Sequence, residues 1–176
     1  MSDAIHTFAR ERRYAPATLE RWRALEPRDA RALLEVAQEL RPSENQLRDL
    51  WEWADEIAHR DRLSLAQVLA LEPVTSVRRT RNVGRNDKLK LMKAALRRLR
   101  FPQLAASEDR LAALVRELDL PRNIRVVFPE FLEGDEVRIE IVSDSVAALA
   151  AAAERLRAAA GTPACKAIFQ LLEEAP

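Results

Sequence analysis

The chain's 176 residues are 48% apolar and 32% charged with a net charge of +1, enough to bury a core as one domain or two small ones. One cysteine (Cys165), two histidines (His6, His59) and three glycines (Gly84, Gly134, Gly161) exclude a disulfide scaffold, a cysteine-rich zinc module, a Walker A loop and a G-x-G-x-x-G turn, so no metal and no cofactor are expected. The absence of a run near about 18 apolar residues, and of a charged, apolar, small-residue leader, argues against a membrane span and a secretory signal; the expected location is cytoplasmic.

Nine prolines punctuate the chain, most of them between apolar-periodic stretches, where each closes one helix or opens the next. Pro16 and Pro27 are placed to start helices near 16–25 and 27–40, the second with Ala30, Leu33, Leu34, Ala37 and Leu40 at helical spacing. Ser43-x-x-Gln46 reads as a capping box ahead of Leu47, Leu50, Trp51, Ala54, Ile57 and Ala58, a stripe with positions three and four apart. Ser64-x-x-Gln67 opens a short helix with Leu65, Val68, Leu69 and Leu71. The tight Arg60–Leu63 connection makes the pair a candidate helix-turn-helix. Residues 1–77 thus read as an acidic N-terminal helical bundle, with eleven bases and fourteen acids. Trp51 falls on the apolar stripe and belongs to the core. Trp53, off the centre of that stripe, either edges the core or faces a protein partner of the N-terminal helices.

Pro73 to Arg85 has little apolar content and reads as an exposed linker or arm. It leads into a helix that Asn86 or Asp87 would cap, with Leu89, Met92, Leu96 and Leu99 as an apolar stripe beside Lys90, Lys93, Arg97 and Arg100. Residues 78–100 hold ten bases (Arg78, Arg79, Arg81, Arg85, Lys88, Lys90, Lys93, Arg97, Arg98 and Arg100) against the single acid Asp87, a charge of +9 between acidic flanks. A solvated helix ordinarily intersperses acids with its bases. The block therefore reads as a surface for a polyanion, which Lys and Arg bind by neutralising phosphates and releasing condensed counterions. No code for reading base sequence is visible.

Residues 101–176 form the third stretch. A helix from about Ala105 to Leu118 is closed by Pro121, and period two then appears in Ile124, Val126 and Phe128 and again in Val137, Ile139 and Ile141. Pro129 to Glu136 would join the two strands as a hairpin. Asp144 or Ser145 caps an alanine-rich helix to about Ala160, and Thr162-Pro163 opens a last one with Ala167, Ile168, Leu171 and Leu172. The expected fold is mainly α, a helical bundle followed by a small α+β unit of helix, strand, strand, helix and helix. A two-stranded sheet leaves both edges unpaired. A homodimer sharing its sheet would cover them, and a helix-covered hairpin in a monomer is the alternative.

Gly134 followed by Arg138-Ile139-Glu140-Ile141, then Ser143 and a helix with Leu149 and Leu156, resembles the C-terminal dimerisation domain of ParB-type chromosome partition proteins, over roughly residues 107–157. The resemblance implies a helix, two strands and a helix that dimerise, here through Val137, Ile139, Ile141, Leu149 and Leu156, together with DNA binding that ignores sequence. The family's arginine-containing nucleotide-binding motifs have no match in this chain, and the helix pair at 43–71 does not copy the family's DNA-reading helices. CTP binding and clamp closure are therefore not implied.

Chemistry has few candidates. Glu56-x-x-His59 has the one-turn spacing of carboxylate-bridged metal sites, but a second such motif is missing, and with Glu52 and Asp55 it reads as a solvated acidic face. No catalytic residues are expected, and Cys165 reads as a core thiol. Two functional readings stand. One is a non-enzymatic DNA-binding protein that contacts phosphates through 78–100 and bridges DNA as a dimer; the other is an adaptor whose basic helix docks on an acidic partner or on its own flanks.

Overall fold

Most helices of the first unit begin at a proline or a capping serine, and each carries an apolar stripe that has to be covered. The computed structural model describes residues 2–174, in two compact units that divide between Phe101 and Pro102. In the first unit α1 (Ser2–Glu11) buries Ile5, Phe8 and Ala9 at spacings of three and four. Helices α2 (Pro16–Arg23) and α3 (Pro27–Leu40) start at their prolines. Capping boxes open α4 (Glu44–Asp61) and α5 (Leu65–Leu69): the Gln46 and Gln67 N–H groups donate to the Ser43 and Ser64 hydroxyls, and both glutamine side chains accept in return. Each such cap contributes about 1 kcal/mol. The core gathers around Trp22 and Trp51, whose rings lie 6.3 Å apart, with Phe8 edge-on to Trp22. The buried indole N–H of Trp22 is satisfied by the Ala30 carbonyl at 3.1 Å.

Three expectations for this unit need correction. Residues 73–79, expected to be an exposed linker, belong to α6 (Glu72–Arg79), because Pro73 sits in its first turn and Val74 is fully buried. The following helix, α7 (Arg85–Arg100), starts at neither Asn86 nor Asp87; Gly84 is its N-cap, with no side-chain capping bond. The helix-turn-helix reading fails because α5 has five residues and buries four of them (Leu65, Ala66, Val68, Leu69), leaving no face to enter a groove.

The second unit carries the expected order. Helix α8 (Pro102–Glu117) precedes strands β1 (Ile124–Val127) and β2 (Arg138–Ile141), which pair antiparallel with Ile124 opposite Ile141 and Val126 opposite Ile139. Their connection holds a short 3-10 turn, Glu130–Leu132, that puts Leu132 into the core. Ser145 and Thr162 cap α9 (Val146–Ala160) and α10 (Pro163–Glu173). Leu111, Leu132, Ile168, Leu171 and Leu172 are the centre of this second core. The molecule is thus mainly α with one hairpin, and no described helix is long and apolar enough to cross a membrane.

Candidate nucleic-acid interface

Helix α7 is tied into the first unit by Leu89, Met92 and Leu96, which belong to the same buried cluster as Trp22 and Trp51. Anchoring that stripe decides where the cations beside it can point. Lys93 and Arg100, two turns apart, face Asp49 and Glu56, two turns apart on α4, with N–O distances of 2.6 and 2.5 Å. The two helices run in the same direction in this ladder, and Trp53 sits between its rungs, 5.8 Å from each cation. This gives Trp53 its place at the edge of the core. Lys88 reaches back to Glu39 on α3 at 2.6 Å and to the Arg78 carbonyl, while the Arg78 guanidinium meets the other Glu39 oxygen at 2.9 Å and Glu35 at 3.9 Å.

Glu39 is the hub of this network. Burial pushes its carboxyl up, but the hydrogen bonds from Lys88 and Arg78 and the charges behind them outweigh that, and the carboxyl is held below its ordinary value. At the far end of α7, Arg60 of α4 donates to the Arg100 and Leu99 carbonyls at 2.6 and 2.9 Å, a cation on the negative end of the helix. Arg60 also holds Asp61 at 2.7 Å, and this hydrogen bond lowers the aspartate's pKa.

The other half of the basic segment points outward around the α6–α7 turn. Arg81 and Arg85 are exposed and have no ion pair among the described residues. Among the described residues, the ion pairs of Arg79 and Lys90 are with Glu72 and Asp87, both at 3.3 Å and all four exposed. Pairs of that kind contribute about 0–1 kcal/mol and exchange readily for another anion. Arg97 is half-buried and Arg98 exposed, and neither is unpartnered. The ten bases therefore do not form one basic face. Arg78, Lys88, Lys93 and Arg100 make an inward row neutralised by α3 and α4, and Arg79, Arg81, Arg85 and Lys90 make an outward tip.

The acids of the inward row are what residue-by-residue reading missed. Their one signal was the matching two-turn spacing of Asp49 and Glu56 with Lys93 and Arg100. Glu56 is occupied by Arg100 and does not join His59 around a metal; no group of three metal-ligating side chains occurs among the described residues. Cys165 is half-buried at the first turn of α10.

In the second unit the residues expected to dimerise divide. Val137 packs against the core, and Ile141 and Leu156 are half-buried. Ile139 and Leu149 are exposed, and with them Val142 and Val146, at 75% and 86% exposure. In the first unit, the described helices α1 to α6 carry no exposed large apolar side chain.

No family model matches the chain, and searches of curated proteins and of solved structures find no match either.

Proposed function

We propose that this is a non-enzymatic cytoplasmic protein that binds DNA through phosphate contacts made by the outward tip, Arg79, Arg81, Arg85 and Lys90. The observation that carries this reading is the exposure of those four side chains, one on the turn between α6 and α7 and three on the helices beside it, with Arg81 and Arg85 unpaired among the described residues. Cations in that state can neutralise phosphates and release the counterions condensed on the DNA, and a phosphate contact carries no base information. The tip is smaller than the ten-base block, so the binding is weaker and less salt-dependent than the charge of +9 suggests. Dimerisation through the second unit would place two tips in one particle and bridge DNA. The exposed Ile139, Val142, Val146 and Leu149, the unpaired hairpin edges and the helix–strand–strand–helix order of the ParB-like segment support it.

Fluorescence anisotropy of the full chain on two unrelated DNA duplexes and one RNA, over about 50–300 mM salt, tests the reading. Similar duplex affinities are expected, with log K falling against log salt by about 0.9 per phosphate contact, hence about 3.6 for four cations. Replacing Arg81 and Arg85 by Gln should remove about half of that slope. No binding at the lowest salt would sink the assignment.

The adaptor reading has its own support in the docking of α7 on Glu39, Asp49 and Glu56, an acidic flank of the same chain. It requires a stable protein complex that nuclease treatment leaves intact, measured by light scattering after size exclusion.

A further inference from the structure

In the α4–α7 ladder the carboxylates are the more exposed members. Asp49 is 46% exposed against 33% for Lys93, and Glu56 is 51% against 30% for Arg100. Glu39 is likewise more open than Lys88. The acids therefore stand between these cations and solvent, at the N–O distances a phosphate oxygen would take. Lys93 and Arg100 are seven residues apart, about 10.5 Å along the helix axis at 1.5 Å per residue.

We propose that Lys88, Lys93 and Arg100 are a second phosphate-binding row held masked by Glu39, Asp49 and Glu56, with carboxylate and DNA phosphate competing for the same donors. This deepens the reading above, resting on its premise that the basic segment meets DNA. The hydrophobic stripe Leu89, Met92 and Leu96 keeps α7 in place with or without the acids. Unmasking is therefore an exchange of anions on a fixed helix. Its cost is the loss of partly exposed ion pairs, each worth little in water.

The test compares the full chain with E39Q/D49Q/E56Q on one fluorescein-labelled duplex across the same salt series, with urea denaturation of both proteins alongside. The masked row predicts at least ten-fold tighter binding by the variant near 0.1 M salt, and a salt slope steeper by up to about 2.7 for three added contacts. An unchanged affinity and slope in a folded variant overturns it. If the triple variant does not fold, D49Q and E56Q are measured singly. Each is expected to steepen the slope by about 0.9, and no change in either overturns the proposal. The two readings fail separately: binding by the variant alone would discard the outward tip and keep the masked row, binding unaffected by the substitutions would do the reverse, and no binding by either protein discards both.

Discussion

The first unit satisfies itself and the second does not. Between them Trp22, Trp51, Leu33, Leu40, Leu47, Leu50 and Ile57 fill a core in the first unit that leaves its described helices α1 to α6 without an exposed large apolar side chain, and its basic helix finds acids of its own. The second unit closes around five aliphatic residues and leaves Ile139, Val142, Val146 and Leu149 in solvent beside a two-stranded sheet with open outer edges. A small unit has too little interior to hide every apolar side chain its strands and helices need. What it leaves exposed is the material of an interface, whereas helices α1 to α6 of the first unit leave charge exposed, with Leu91 and Phe101 the unit's exposed large apolar side chains among the described residues.

The largest test of that contrast lies in the first core. Trp22→Ala removes a fully buried ring that packs with Phe8 and Trp51, together with its indole hydrogen bond to the Ala30 carbonyl. The expected loss is about 3–5 kcal/mol, read as a lower urea midpoint followed by tryptophan fluorescence. A loss below about 1 kcal/mol would mean the core tolerates the cavity and is less well packed than its burial implies.

Val146→Asp with Leu149→Asp is the counterpart in the second unit. Both side chains are exposed, so stability at low protein concentration should move by no more than about 0.5 kcal/mol. The mass in light scattering should nevertheless fall from dimer to monomer. A wild-type chain that is monomeric at every concentration would remove the homodimer and leave this patch without its proposed occupant.

How far the chain could be read without coordinates follows from where its signals are local. Pro27 and Leu40 bound α3 as expected, and the two Ser-x-x-Gln boxes open α4 and α5, because proline geometry and capping bonds span a few residues. Helix α6 escaped because Val74 and Val77 alone mark its apolar side, among Ser, Thr and Arg. The candidate interface was half legible. A dense run of bases announces itself, but which of them face inward depends on Glu39–Lys88 and Asp49–Lys93 contacts across 49 and 44 residues, and those exist only once α3, α4 and α7 share a core.

A smaller effect than at Trp22 is expected at Glu39. Its folded-state pKa is depressed, so its contribution to stability is fully present above the ordinary value of 4.5 and is lost as pH falls through the lower folded value. Glu39→Gln should cost about 1 kcal/mol at neutral pH by leaving Lys88 and Arg78 with a weaker acceptor. It should also flatten that part of the acid limb in a pH series of urea midpoints. An acid limb identical to wild type would mean Lys88 and Arg78 gain nothing from the charge.

The smallest stability effect separates the two halves of the basic segment most cleanly. Arg81 and Arg85 have no ion pair to lose, so R81Q/R85Q should shift stability by less than about 0.5 kcal/mol while weakening DNA binding and its salt dependence. Lys93→Gln should act the other way round. It breaks the pair with Asp49 and the approach to Trp53, costing up to about 1 kcal/mol, yet it leaves wild-type DNA affinity where it was, because a cation already held by a carboxylate is not available to neutralise a phosphate and displace the DNA's counterions. If both variants instead weakened binding equally, the carboxylates would be no barrier to phosphate, and the segment would act as the undivided basic face that its sequence suggests.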